Sequence, residues 1–558
     1  MDLTDRPRVS AYRADTRGVT LTGSALTAAE LISLADAAAR PAVAPEARER
    51  ATRSWLTARQ LASTGRLYGR GTGVGANRSV AVDTADEHAH GLRLLRSHAG
   101  GAGALLPARQ VRAMLAVRAN QLLAGGAGIQ PAVIDALTDA LRLGVRPAVN
   151  EYGGLGTGDL TALAQTGLTL IGERPWIGGE LEGEGAGVPT APAQTGLTLI
   201  GEQPWAGGEL EGEGADASGA ETASGGALPL AWAASAARPA SPLAGHPAPV
   251  TLQPGDALAL LSSNALALGQ AALAWHGLDV LLRATHAVAA LSLAAVSGSG
   301  EAYAAPVHAL RPYAGAARAA GEVRRLSGWP EVPQAAGRRV QDPYGFRAFP
   351  QVHGCALDAA ERLREIVEVE VNCPSENPLV DPDALTAYHH GGFFAAPLAL
   401  ALDGLNLALL KTAQLSTARL GALGHPELTG LTPFLADGPA SSSGTMILEY
   451  TANSALAELR SQAVPASSGH AVVSHGLEEA ASFAGQAARQ SMRAADACTT
   501  LLACELVSAV RALRLRPTQP PTPAFTTASA ALPTGTDDRP LTADIAAAAE
   551  LLPVLAEL

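Results

Sequence analysis

"ALALLSSNALALGQAALAWHGLDVLL", residues 257 to 282, is the longest apolar stretch of the chain. Ser262, Ser263, Asn264, Gln270, His276 and Asp279 break it, so a buried helix in a large helical core explains it better than a membrane span. Composition points the same way. Of 558 residues, 47% are hydrophobic and only 4% aromatic, so the core must be built mostly from Ala, Leu and Val. Ala and Leu are strong helix formers, and few segments alternate as strands do. A mainly helical protein follows, long enough for several domains or one large elongated one.

Outward from this stretch the chain divides into four parts. Residues 1–163 read as helical segments separated by Gly-rich turns. "VRAMLAVRANQLLAGGAG" has the pattern of an amphipathic helix ending at glycines, and "PAVIDALTDALRLG" starts at Pro and stops at Gly. Residues 164–250 hold a direct repeat: "AQTGLTLIGERPWIGGELEGEGA" (164–186) returns as "AQTGLTLIGEQPWAGGELEGEGA" (193–215). Two copies do not make a solenoid, so the pattern reads as a tandem duplication with one copy in the core and one in an inserted loop. The Gly/Ala/Ser-rich "GADASGAETASGG" follows. Residues 251–515 are expected to form a long-helix bundle, and 516–558 a Pro-rich linker closed by a short helix with an internal Pro.

Charge and cysteines exclude several function classes. The net charge of −12 argues against a broad nucleic-acid surface. Four cysteines without CxxC pairing read as reduced and mostly buried. The polar N-terminus lacks an apolar signal core, so a cytoplasmic location is expected, without a membrane partner. "YHHGGFF" offers adjacent rather than helically spaced histidines, and "GRGTGVGANRS" lacks a Gly-Lys-Ser/Thr ending. No metal and no nucleotide is therefore expected.

One stretch stands out chemically. "YGGLGTGDLTALAQ" (152–165) sets Gly153, Gly154, Gly156 and Gly158 around Thr157, giving up backbone entropy for unusual dihedrals or close packing. A flexible turn ahead of a helix and a backbone bent back for chemistry both fit this pattern.

Other blocks bear on that choice. "LYGRGTGVG" resembles the Tyr-Gly-x-x-Thr-Gly-x-Gly loop of the histidine and aromatic amino acid ammonia-lyases, and "LLRSHAGGAG" their Ser-His-Ala segment. "VQDPYGFRAFPQVHG" is similar to their Gln-Asp-Pro-Tyr block, "EVEVNCPSENPLV" to their Glu-x-Asn-x-x-Ser-Asp-Asn-Pro-Leu pattern with Glu376 for Asp, and "GGFFAAPLALALD" to their Gly-Asn-Phe-His segment. These occur in the family's order along almost the whole chain.

The resemblance implies an all-α, elongated long-helix bundle with fumarase/aspartase-like central helices. It implies a homotetramer whose active sites draw on several subunits, and an amino-acid-like substrate. It also implies an autocatalytic 4-methylidene-imidazol-5-one group, which the family forms from Ala-Ser-Gly. Here Gly156-Thr157-Gly158 takes that place. Gly156 is tolerable, because cyclisation uses only its carbonyl. Thr157 would either dehydrate to an alkene carrying an extra methyl group or keep its hydroxyl and leave no electrophile.

The remaining roles are likewise implied by the resemblance. Tyr68 matches the general base for the β-proton, and Tyr344 a residue that orients the adduct or relays a proton. His98 matches a histidine near the substrate ring, Arg347 the carboxylate clamp, with Gln341 in the same block, and Phe393 a phenylalanine packed on the electrophile. Glu478 matches the glutamate of Gln-Glu-Asp-His, with Leu477 and Ala480 replacing its Gln and His. The asparagine supporting the electrophile falls on Ser262, and Asn264 could replace its amide only by a local helix shift.

Two classes of function remain. One is an ammonia-lyase or 2,3-aminomutase acting on a histidine-like or aromatic L-amino acid. The other is a member without electrophile, either a non-catalytic subunit or an enzyme of different chemistry on an acidic metabolite.

Overall fold

The computed structural model describes residues 18–65, 67–178, 245–333 and 339–558. The opening stretch forms two helices rather than one. The helices before it are α1 (Ala28–Ala35), α2 (Pro45–Thr64), α3 (Glu87–His98), α4 (Ala108–Leu123), α5 (Pro131–Leu143) and α6 (Leu160–Leu170). Next come α7 (Asp256–Leu261) and the 31-residue α8 (Ala265–Ala295), separated only by Ser262, Ser263 and Asn264. The bundle continues with α9 (Ala305–Ala309), α10 (Ala314–Ser327), α11 (Tyr344–Arg347), α12 (Phe349–Glu370), α13 (Ala396–Leu423), α14 (Pro426–Thr429) and α15 (Met446–Gln462). It closes with the 31-residue α16 (Ala484–Arg514), α17 (Pro523–Ala531) and α18 (Thr542–Leu555). Among the described residues, the strands form only two-stranded ribbons, as expected of an essentially all-α chain.

Helices α8, α12, α13, α15 and α16 make the central bundle, with α8 packed along α16. The most apolar part of the Asp256–Ala295 stretch is 94% buried within the protein. α5 begins at Pro131 and ends on Gly144 in the left-handed region (φ 71°), as its sequence predicts. α4, by contrast, is not amphipathic: every residue from Ala113 to Leu123 is buried, including Arg118. It has packing partners on several sides, α1, α5 and α8, so over Ala113 to Leu123 no face is left for water. The fully buried Arg118 is matched by Glu376 at 2.7 Å.

The first repeat copy supplies the buried Ala164–Leu170 of α6 and the following residues to Gly178, so the expected boundary at 163/164 falls inside a helix. The second copy, 193–215, lies outside the described residues, as does "GADASGAETASGG". The Pro-rich segment contains α17, whose N-terminus is capped by Thr522, and α18 carries Pro553 internally. Of the cysteines, only Cys498 and Cys504 are buried; Cys373 is half-buried, Cys355 is exposed, and all four are free.

A pair of buried histidines joins α8 to α12. The His353 ring stacks on Phe349 with centroids 4.7 Å apart, and His286 meets it edge-on at 4.7 Å. Nε2 of His286 and Nδ1 of His353 have no hydrogen-bond partner. Burial pushes His286 down to about 4 and His353 well below the ordinary 6.5; Arg318 on α10 lowers both, while Glu322 partly offsets this at His286. The unfolded chain therefore takes up these protons first, so this contribution to stability is complete above pH 6.5 and is lost as pH falls towards 4. From His286 alone the loss is about 3 kcal/mol by pH 4. Urea unfolding of the His286→Phe variant should consequently fall off less steeply between pH 6.5 and 4.5 than that of the wild type.

Candidate active site

Six elements converge on a cavity of about 670 Å³ whose lining includes Tyr68, His98, Thr157, Gly158 and Glu478. These residues come from parts of the chain more than 400 positions apart, so the fold, not local sequence, assembles them.

The Gly-rich turn forms one wall. Gly156 (φ +87°) and Gly158 (φ +103°) both occupy the left-handed region that side chains disfavour. A Cβ on Gly156 would lie 2.6 Å from Ala484 N and 2.7 Å from Phe483 N, so the turn sits against the N-terminus of α16. Phe483 N–H donates to Leu155 O at 2.9 Å, and the Ser482 hydroxyl to Gly156 O at 2.8 Å. On the far side of Thr157, Gly158 N–H donates to Asn264 Oδ1 at 2.9 Å and Asp159 N–H to Ser263 O at 2.7 Å. The buried Asp159 carboxylate accepts Ala267 N–H at 2.9 Å, and burial pushes it up to about 6. The turn is thus pinned between the starts of the two longest helices, α8 and α16. Their N-termini direct positive potential towards it.

This backbone fits a ring closed between Gly158 N and the Gly156 carbonyl carbon. Both flanking residues lack a Cβ where one would collide or be strained. The carbonyl oxygen and the amide N–H that ring closure involves each already have a hydrogen-bond partner.

The other walls carry polar side chains. Tyr68 sits in the loop bounded by the Leu67–Arg70 bridge; its hydroxyl accepts Gly75 N–H at 2.8 Å, and burial, with a smaller contribution from Glu478, raises its pKa above the usual phenol range. His98 ends α3, and its Nδ1 lies 2.9 Å from Leu94 O. The Ser97 hydroxyl lies 3.0 Å from the same nitrogen, so the ring is fixed through Nδ1 by its own helix. Glu478 pairs with Val473 in an isolated antiparallel bridge, and its carboxylate accepts the Ser474 hydroxyl at 2.9 Å. Arg93 and His90, about one and two turns before His98 on α3, also line the cavity.

Several expected site residues lie elsewhere. Ser262 does not support the turn: its hydroxyl accepts Asn377 N–H at 2.9 Å and its carbonyl accepts the Ser375 hydroxyl. The amide comes from Asn264, which occupies the cap position before α8 and also donates to the Phe393 carbonyl. Phe393 therefore reaches the turn through its backbone, and its ring does not line the cavity. Gln341, Tyr344 and Arg347 are also outside the cavity within one chain. Gln341 and Tyr344 are exposed, and the Arg347 guanidinium lies over the Tyr344 ring at 4.4 Å, with its buried Nε unpartnered. Among the described residues, no group of three or more His, Cys, Asp or Glu could hold a metal ion.

Ser482 and Asp159 are the functional neighbours that motif reading missed. Asp159 stands inside "YGGLGTGDLTALAQ" and Ser482 four residues after Glu478, and neither position was given a role from the sequence.

Comparison with known proteins identifies the family. Residues 26–533 match the model of the aromatic amino acid lyase family, and the chain belongs to that family. The chain is 34% identical over 554 residues to histidine ammonia-lyase of Anaeromyxobacter sp. (strain K), covering 95% of this chain and 98% of that protein. It is 33% identical over 461 residues to that of Geobacillus kaustophilus, covering 82% and 81%. It shares the fold of ergothionase from Treponema denticola (TM-score 0.79, 24% identity, covering 97% and 99%) and of tyrosine aminomutase from Streptomyces globisporus (TM-score 0.79, 23% identity, covering 97% of each). The protein is an ammonia-lyase-like enzyme, a carbon–nitrogen lyase or 2,3-aminomutase.

Proposed function

We propose that this enzyme eliminates ammonia from L-histidine or a closely similar L-amino acid, giving a conjugated acrylate. The observation that carries the reading is the single cavity in which Tyr68, His98, Thr157 and Glu478 meet. The electrophile proposed here would derive from Gly156-Thr157-Gly158, and it would supply an alkene able to take up the substrate amine and turn it into a good leaving group. Tyr68 removes the β-proton. His98 and Glu478 offer polar partners to an imidazole ring or an ammonium group, which favours a histidine-like side chain over a purely apolar ring. In the functional homotetramer, Gln341, Tyr344 and Arg347 of a neighbouring copy complete the site. The planar Arg347 fork then binds the substrate carboxylate in two hydrogen bonds.

The test is a peptide-level mass of the segment containing residues 152–165, followed by turnover of L-histidine, L-tyrosine and L-phenylalanine. Loss of two waters, with L-histidine processed best, supports the reading; an unmodified Thr157 overturns it and leaves the member without electrophile. Because burial keeps the Tyr68 phenol protonated beyond its usual range, the rate should climb with pH well into the alkaline region. Tyr68→Phe should abolish that limb and lower kcat by about a hundredfold.

A further inference from the structure

We propose that Ser482 and Asn264 form a positioning pair that drives closure of the Gly156–Gly158 backbone into its ring. This rests on the electrophile reading above and goes beyond it by assigning the self-processing step to two side chains of this chain.

The turn is held in two halves by two helices. Its first half is docked on the start of α16, through Phe483 N–H to Leu155 O (2.9 Å) and the Ser482 hydroxyl to Gly156 O (2.8 Å). Its second half is docked on the start of α8, through Gly158 N–H to Asn264 Oδ1 (2.9 Å) and Asp159 N–H to Ser263 O (2.7 Å). Because α8 and α16 pack along each other, the two halves are held at a fixed separation. The Asn264 amide cannot flip without cost, since its Nδ2 donates to the Phe393 carbonyl. Ser482 is similarly oriented: Ala484 N–H donates weakly to its oxygen at 3.4 Å, which leaves the hydroxyl hydrogen for Gly156.

These contacts match what ring closure needs. Gly158 N attacks the Gly156 carbonyl carbon, and the carbonyl electron pair moves onto an oxygen that already accepts the Ser482 hydroxyl. The proton of Gly158 N, polarised and held in plane by Asn264, ends on that oxygen. The resulting hydroxyl leaves as water with the proton of Thr157 N, giving a carbon–nitrogen double bond. A second water then leaves with the Thr157 hydroxyl and its Cα proton. Two waters are lost, one N–C bond is gained, and no oxidant is required. Ser482 acts as an oxyanion donor in this scheme, and Asn264 as the group that orients the attacking amide.

The experiment compares the full-length wild type with Ser482→Ala, Ser482→Cys, Asn264→Leu and Asn264→Asp. It reads the fraction of the 152–165 peptide lacking two waters and the near-ultraviolet absorbance of the ring, alongside circular dichroism and melting. Ser482→Ala and Asn264→Leu should lower the processed fraction at least tenfold in folded protein. Asn264→Asp, which keeps an acceptor for Gly158 N–H, should retain more than half of it. Ser482→Cys keeps a weaker donor and should give an intermediate fraction, which also serves should Ser482→Ala not fold. Folded Ser482 and Asn264 variants processed to the wild-type extent would overturn the proposal. A wild type lacking no water would instead overturn the electrophile reading on which it rests.

Discussion

Replacing Thr157 with valine is expected to lower kcat by at least about a thousandfold, about 4 kcal/mol of transition-state stabilisation. Valine keeps the branched shape that lines the cavity beside Gly158 but has no hydroxyl to lose, so no alkene can form. The fold should be unaffected, because the turn is held by backbone contacts at Leu155, Gly156, Gly158 and Asp159 rather than by the Thr157 side chain.

The converse change, Thr157→Ser, is the more informative. It removes the methyl group from the carbon that receives the amine, relieving crowding and restoring electron demand. A rise in kcat of about tenfold is expected. The measurement is the initial rate of acrylate formation from L-histidine, with peptide masses recorded for both variants. If Thr157→Val retained wild-type turnover, the electrophile could not come from this residue.

The residues legible in sequence were those whose role depends on a short motif. Tyr68, His98, Thr157 and Glu478 each stood in a recognisable block, and the fold brings all four to one cavity. The central helices were legible too, because Ala- and Leu-rich runs have few other places to go. Register within the Ser262–Asn264 break was not. Motif order put the supporting amide at Ser262, yet that side chain serves the Asn377 backbone, and Asn264 reaches the turn. Two residues of shift in a three-residue break leave no trace in local pattern. Burial of α4 was hidden for a different reason. The charge of Arg118 suggested a wet face, and its partner Glu376 lies 258 residues further on. Arg347 lies outside the cavity of its own chain; a motif does not record which copy of a chain supplies a residue, and the function proposed above takes it from a neighbouring copy.

A second large effect is expected at the Arg419–Glu505 pair, where both side chains are fully buried between α13 and α16. Arg419 Nε donates to Glu505 Oε1 at 2.6 Å and Nη2 to Oε2 at 2.9 Å; the Ser292 hydroxyl donates to Oε1 at 2.7 Å, and that of Ser416 to Oε2. Glu505→Ala removes every one of these acceptors and leaves a buried guanidinium whose remaining hydrogen bond among the described residues is to the Gly345 carbonyl, 3.1 Å from Nη1, with the Phe349 ring 5.1 Å away. The cost is set by that stranded charge and should be about 3–5 kcal/mol in urea unfolding. Arg419→Met combined with Glu505→Leu should recover more than half of the loss, since no charge is then left unpaired. A double variant as unstable as Glu505→Ala would show that packing volume, not charge, sets the cost. The pair also reaches towards function: Gly345 lies in α11 between Tyr344 and Arg347. Loosening its anchor should therefore raise KM more than it lowers kcat, because Arg347 is the proposed carboxylate clamp and takes no part in proton transfer.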